Sequence, residues 1–401
     1  MLYYTVYDAN MVEGGTIHGM AIASGLASAN QVCLIGQFGE LSDSARNLSV
    51  ENVQARLSTG RRLYGTRARP GLAMIYRALV LVRLFWAGLN AIRSLRCHVI
   101  YARHGVPSLA AVLLSKLTSV PLVLEVNDLY DVEARINNWP MSARYATRLM
   151  ESLTLPRADA IVTVTKGLKR EISNRFQIDG GRIVVVSNGV DTDLYVPKNK
   201  LECRKLCSIA PGRKVVCYVG NFTSWQGLHT LVESAPMVLK TFPDTLFLLV
   251  GDGPLRESLT SRIESLGIAS SFSLVGKVPN TEVPDYINAS DVCVAPFIRA
   301  RSETIGLSPL KLYAYMSCAK AIVASDVPGV GDLLKEHDCG AVVKPDDPTS
   351  LAEGIKRLLR DDDLRYAIGN RARRVVVKSY SWERVSAQIG QLCVRTILAG
   401  R

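Results

Sequence analysis

Twelve short apolar runs punctuate the chain: residues 2–7, 32–35, 98–101, 122–126, 160–164 and 183–186, then 215–219, 246–250, 273–275, 292–295, 321–324 and 341–343. Most are rich in Val and Ile and lack polar alternation, the pattern of parallel strands covered on both faces. Parallel neighbours need a crossover of a dozen or more residues, and most of the intervals leave room for one helix. Six units followed by six predict two doubly wound α/β domains in tandem, and 401 residues are enough for two cores. Between the series, residues 195–214 contain Pro197 and Pro211-Gly212 and have no strong periodicity, which reads as a linker. The domains expected are therefore 1–196 and 197–379, with an amphipathic tail helix after Ser381.

Charge narrows the function classes. The chain has 48 Lys+Arg against 36 Asp+Glu, a net +12, which suggests an anionic partner. Between Glu51 and Glu125 no acidic residue occurs, and ten of the eleven basic residues there are Arg, the side chain suited to bidentate phosphate contact. No nucleic-acid motif or aromatic-interleaved basic strand accompanies them, so nucleic acid is not expected as a partner. Nine Cys at irregular spacings, with Cys203 and Cys207 lacking a second pair or a His at zinc spacing, read as reduced thiols with no metal site. The N-terminus, with Asp8 and Glu13 early, does not read as a signal peptide. The apolar stretch 72–95 is cut by Arg77, Arg83 and Arg93, so no bilayer-spanning segment is expected there. These features point to a cytoplasmic protein, with the basic segment led by Arg56, Arg61, Arg62, Arg67 and Arg69 as a candidate face for an anionic membrane.

In open α/β sheets ligands bind outside the carboxyl ends of the strands, so the residues after each run carry the candidate chemistry. Gly14-Gly15 precedes a helix that includes His18, and adjacent glycines there allow close approach of an anion. The spacing Gly-x-Gly-x-x-Gly of dinucleotide enzymes is absent from this turn. Gly251-Asp252-Gly253-Pro254 follows another run as a tight turn into a helix. Residues 295–316 lead from a strand end through Arg299, Arg301 and Glu303 to Gly306-Leu307-Ser308, with Pro309 and Lys311 entering a helix. Free backbone N–H groups at Gly306, Leu307 and Ser308, with the three cations nearby, would hold a diphosphate.

The order of motifs resembles the family 4 retaining glycosyltransferases. The resemblance rests on Gly14-Gly15, Ser187-Asn188-Gly189-Val190-Asp191, Gly220-Asn221-Phe222 with Gln226-Gly227, Gly251-Asp252-Gly253-Pro254, Ala289-Ser290-Asp291 and Ser308-Pro309-Leu310-Lys311 through Tyr315-Met316. It implies the GT-B fold: two Rossmann-like domains facing a cleft, with the tail 380–401 crossing back onto the first. It also implies an acceptor held mainly by the first domain and a nucleoside-diphosphate-sugar held mainly by the second, transfer with retention, and neither bound metal nor cofactor. On that alignment the donor would meet Gly220, Asn221, Gln226, Gly227, Gly251, Asp252, Gly253, Arg299, Arg301, Gly306, Leu307 and Ser308. The acceptor would meet Gly14, Gly15, His18 and Asn127, and Lys311, Glu303, Asp128 and Arg103 would act at the reacting centre.

The chain departs from the family at three places. The two carboxylates of the family's Glu-x7-Glu pattern are replaced by Gly306 and Ala314, the cations after the first strand of the second domain by Asn221 and Gln226, and the His after the fourth strand by Asn127. The function expected is sugar transfer to a lipid-linked or surface-polysaccharide acceptor, and the alternatives are a non-catalytic sugar-binding relative and a sugar-nucleotide epimerase.

Overall fold

A computed structural model describes residues 2–4, 14–35, 70–105, 108–136 and 139–399. Arg56, Arg61, Arg62, Arg67 and Arg69, together with the side chain of Arg301, lie outside the described residues. The chain forms two compact units, Met1–Ser187 with Glu383–Arg401, and Asn188–Trp382.

Each unit is built on a six-stranded sheet whose ladders are all parallel. In the first unit the strands are β1 Leu2–Tyr4, β2 Cys33–Ile35, β3 Ile100–Arg103, β4 Leu122–Val126, β5 Ala160–Thr163 and β6 Ile183–Val185, in the order β2-β1-β3-β4-β5-β6. In the second they are β7 Val215–Val219, β8 Leu246–Val250, β9 Phe272–Gly276, β10 Val292–Ala295, β11 Ala321–Ser325 and β12 Ala341–Val343, in the order β12-β11-β10-β7-β8-β9. The order reverses between β1 and β3 in one sheet and between β7 and β10 in the other. Such reversals open crevices at the carboxyl ends of the strands, which fixes where a ligand can enter each unit.

The apolar runs form these strands because both faces are covered. On β7, Val215 and Cys217 join one buried cluster while Val216 and Tyr218 join the other. One run is displaced: β3 starts at Ile100 because His98 is exposed, and the strand extends instead to Arg103. The tail helix Trp382–Ala399 buries Val385, Ile389, Leu392 and Cys393 at helical spacing. An added Cβ on its Gly390 would touch Leu26 at 3.6 Å, in ordinary contact.

The supposed linker is the main difference from the sequence reading. Residues Lys200–Leu206 form a helix capped by Asn199, whose side chain accepts from the amides of Leu201 and Glu202. Arg204 is buried and donates to the Ala289 carbonyl at 3.0 Å and to Asp291 at 2.8 Å, while the same carboxylate oxygen accepts from Val215 N at 2.7 Å. Buried Arg204, with Lys200 on the other oxygen of Asp291 at 3.0 Å, holds this segment to the starts of β7 and β10, and the helix is too short for its apolar period to be read from sequence. Upstream, the Tyr195 hydroxyl donates to Asn280 and its carbonyl accepts from Ser317. Residues 188–196 thus belong to the packing of the second unit.

Candidate active site

At the reversal of the second sheet, Lys311 is the central charge. It sits one position into the helix Leu310–Ser317, which Pro309 caps. Its Nζ donates to Gln226 Oε1 at 2.5 Å and lies 3.8 Å from the centre of the Tyr218 ring and 5.4 Å from that of Phe297. Tyr218 is on β7, and Phe297 follows β10. Burial pushes the ammonium well below the ordinary lysine value. Two ring faces and one amide oxygen replace little of the lost hydration, so the site favours an anion arriving beside the amine.

The loops around that amine are held by backbone contacts. Gly220 N donates to Val250 O, and Gly251 N to Gly276 O. A Cβ at Gly251, where φ is +134°, would fall 2.0 Å from the Gly220 carbonyl oxygen, and one at Gly227, with φ +72°, would fall 1.6 Å from that of Pro296. Both positions therefore require glycine, for conformation and for space. Gly253 N turns back to Asp252 Oδ1, and the Asp252 carbonyl accepts from Phe222 N. Trp225 stacks on Phe297 with centroids 6.2 Å apart, which carries buried Gln226 toward Lys311. Asn221 contributes its carbonyl to the Tyr218 hydroxyl. The Tyr315 hydroxyl, fully buried, accepts from Val219 N at 2.7 Å and so fixes the last residue of β7.

The segment before Lys311 is arranged differently from the expectation. The amide of Gly306 donates to the Ser302 carbonyl and that of Leu307 to Pro328 O, so neither is a free donor for a phosphate. The helix Arg299–Ile305 and the turn after Val327 supply these acceptors, and sequence spacing cannot place either partner. The Ser308 hydroxyl accepts from Asn188 N and meets the Tyr313 hydroxyl at 3.0 Å. Arg299 and Glu303 are exposed and pair with each other at 3.1 Å along one helical turn, apart from the contacts made by Lys311. Ala314 is buried.

At the reversal of the first sheet, the expected residues His18, Asn127 and Arg103 gather around Glu125, which is not among the residues expected from the sequence. Glu125, the penultimate residue of β4, is fully buried. His18 Nε2 lies 2.5 Å from its Oε1, the Tyr101 hydroxyl donates to Oε2 at 2.8 Å, and Asn127 Nδ2 donates to Oε1 at 2.5 Å. Arg103 donates to the Gly15 carbonyl at 3.3 Å, next to Gly14 at the start of the helix Gly14–Ala27. Burial alone would raise the carboxyl pKa. The charge and hydrogen bond of His18, the charge of Arg103 and the Tyr101 hydroxyl outweigh it and hold the pKa at about 2. A carboxylate inside the apolar run Leu122–Val126 was the available signal. Asp128 accepts from Leu129 N at 2.9 Å. His104 is also buried, tilted against Tyr130 with centroids 5.6 Å apart, and burial lowers its pKa to about 4, so it is neutral at pH 7.

A surface cavity of about 420 Å³ in the same unit is lined by His98, Lys116, Asp159 and Ile397. His98 and Asp159 precede β3 and β5, so it opens at the amino ends of the strands, away from the Glu125 cluster.

Comparison with known proteins agrees with the fold. Residues 12–194 match the family model described as Glycosyltransferase Family 4, and residues 202–375 match Glycosyl transferases group 1. An uncharacterised glycosyltransferase of Methanocaldococcus jannaschii, MJ1607, is 26% identical over 247 residues, 61% of this chain and 62% of the relative. The chain thus spans somewhat under two thirds of that relative's length. Among solved structures, sucrose-phosphate synthase from Thermosynechococcus elongatus aligns over 100% of this chain and 99% of its own, with a TM-score of 0.78 at 21% identity. Anabaena Alr3699/HepE in complex with UDP and glucose aligns over 98% and 100%, with a TM-score of 0.74 at 16% identity. The two model matches together cover nearly the whole chain, the structural likeness is to GT-B proteins, and the chain belongs to the family 4, group 1 glycosyltransferases.

Proposed function

We propose that this glycosyltransferase takes its sugar from a nucleoside-diphosphate donor bound at the β7–β10 reversal and passes it, with retention, to an acceptor bound at the Glu125 cluster. The observation that carries the reading is the position of the Lys311 ammonium, which stands next to Gln226 and Gly220, where the family's loop cations are missing. The charge comes from the helix instead of the loop. As the glycosidic bond to the donor breaks, negative charge develops on the departing diphosphate, and an ammonium fixed beside it stabilises that charge without reorganising. The diphosphate in turn raises the affinity of the amine for its proton, so binding takes up protons where the pH lies between the depressed pKa of the free site and the higher pKa of the complex.

In the first unit, the Glu125 carboxylate orients His18, Tyr101 and Asn127, and the buried Asn127 Oδ1, which has no hydrogen-bond partner among the described residues, is left to accept from an acceptor hydroxyl. A lipid-linked or surface-polysaccharide acceptor suits the acid-free basic segment of this unit. The donor of Alr3699/HepE suggests UDP as the first nucleotide to test.

Calorimetric titration with UDP, GDP and ADP, each in buffers of different ionisation enthalpy, tests the donor site. One nucleotide should bind, with proton uptake at pH values between the pKa of the free site and that of the complex. Lys311→Ala should weaken it by about 10- to 150-fold, the equivalent of a charge-assisted hydrogen bond worth about 1.5–3 kcal/mol. Unchanged affinity in that variant sinks the assignment. Buried Ala314 favours a second reading, a binder without turnover. It predicts that the wild type is inert toward UDP- and GDP-sugars and that Ala314→Glu gains turnover.

A further inference from the structure

The first unit has an apolar outer face that neither candidate site uses. Three helices lie side by side there: Pro70–Leu95 and Met141–Thr154 each pack against Ser108–Thr118. The outer helix Met141–Thr154 exposes Met141, Tyr145, Leu149 and Leu153, a row four residues apart, with exposed Trp139 just before it. The middle helix exposes Leu113 and Leu117, again four apart, and the helix Pro70–Leu95 exposes Leu79, Val82 and Trp86. Met141 and Tyr145 are more than 70% exposed, although side chains of this kind normally face inward. Ten of the sixteen large hydrophobic residues exposed among the described residues fall on these three helices and the residue that leads into one of them. Such a concentration on three packed helices contrasts with the singly scattered apolar residues that are normal on a monomer's surface.

The charges around the patch select its occupant. Arg83, Arg93, Lys116 and Arg148 are exposed on the same three helices. The sequence has no acidic residue from 70 to 124, and the single carboxylate of Met141–Thr154, Glu151, is fully buried. A second copy of the chain would bring the same cations face to face, whereas an anionic bilayer neutralises them and accepts the apolar row. Trp86, Trp139 and Tyr145 combine an apolar ring with a polar edge, the residue type that settles at headgroup depth. Among the described residues no helix is long and apolar enough to cross a membrane, so contact with the bilayer would be interfacial.

We propose that these three helices form a membrane-docking face that lies on anionic lipid, with the row Met141, Tyr145, Leu149 and Leu153 inserted and Arg83, Lys116 and Arg148 on the headgroups. This deepens the reading of a lipid-linked acceptor and can fail separately from it, because the assay contains neither donor nor acceptor. The face shares the helices Pro70–Leu95 and Ser108–Thr118 with the acid-free segment that sequence alone suggests, and adds Met141–Thr154.

The test is flotation of the full chain with vesicles of phosphatidylcholine alone or mixed with phosphatidylglycerol. Wild type should float with the anionic vesicles and stay behind with neutral ones. Met141→Glu/Tyr145→Glu should reduce partitioning at least about tenfold, and Arg83→Gln/Arg148→Gln should reduce it in the anionic vesicles, because apolar insertion and basic residues contribute separately. Unchanged melting temperatures of both variants, measured without ligand, would show that the fold is intact. The proposal is overturned if wild type ignores anionic vesicles, if both variants float as well as wild type, or if sedimentation shows a dimer that Met141→Glu/Tyr145→Glu dissolves.

Discussion

Tyr315→Phe removes one oxygen from the protein interior and nothing else. In the wild type that oxygen accepts the Val219 amide at 2.7 Å at the end of β7, with the tyrosine fully buried. Phenylalanine keeps the ring and opens no cavity, so the expected loss is that of a buried donor left unpaired, about 1–3 kcal/mol. The second unit runs from Asn188 to Trp382. For a unit of that size each kcal/mol lowers Tm by about 2–4 °C, so the drop should fall between about 2 and 12 °C. Urea denaturation of the full chain should show the loss in the transition of the second unit only, with its slope unchanged. Affinity for the donor nucleotide should fall a few-fold as well, because Val219 leads directly into Gly220 beside Lys311. A stability change under about 0.5 kcal/mol would refute the reasoning, since it would mean that the Val219 amide finds another acceptor.

Other perturbations follow from the buried charges. The Lys311 pKa is depressed by burial, so the folded state is penalised at neutral pH and relieved as pH climbs toward the ordinary value of 10.5. Lys311→Met should therefore be more stable than wild type at pH 7, with the difference closing near pH 10 in denaturation curves. The Glu125 pKa moves the other way, from 4.5 to about 2, so its contribution of about 3 kcal/mol is present above pH 4.5 and is lost as pH falls toward 2. Glu125→Gln should lack that acid limb, and an unchanged limb would exclude Glu125 as its source. The Glu151 pKa is raised by burial to about 7, and its Oε2 is buried without a hydrogen-bond partner. Its penalty grows as pH rises from 4.5 through 7, so Glu151→Gln should add up to about 3 kcal/mol at pH 8 and almost nothing at pH 4.

The sheets could be read from the sequence because their strands are buried on both faces and so appear as unbroken Val- and Ile-rich runs. The helix Lys200–Leu206 could not. Its hold on the unit includes Arg204 and Lys200 on Asp291, 87 and 91 residues away, and the apolar residues of a seven-residue helix show no period. At the candidate sites the residue types were legible and their partners were not. Lys311 stood out as a cation at a helix start, but its link to Gln226 spans 85 residues. A carboxylate in a strand reads as an interruption in sequence, whereas here Glu125 is the acceptor for three side chains. The amides of Gly306 and Leu307 appeared free only because the carbonyls that bind them belong to a neighbouring helix and a distant turn.

Lys311 and Tyr315 stand one helical turn apart in Leu310–Ser317, so a single eight-residue element supplies both the ammonium of the site and the hydroxyl that holds the end of β7. A loop cation can be lost or moved while the sheet stays intact. Here a change in the pitch or tilt of that one turn would shift the positive charge and loosen the strand together. Random mutagenesis of this helix should therefore yield few variants that keep stability and lose nucleotide affinity, apart from changes at Lys311 itself.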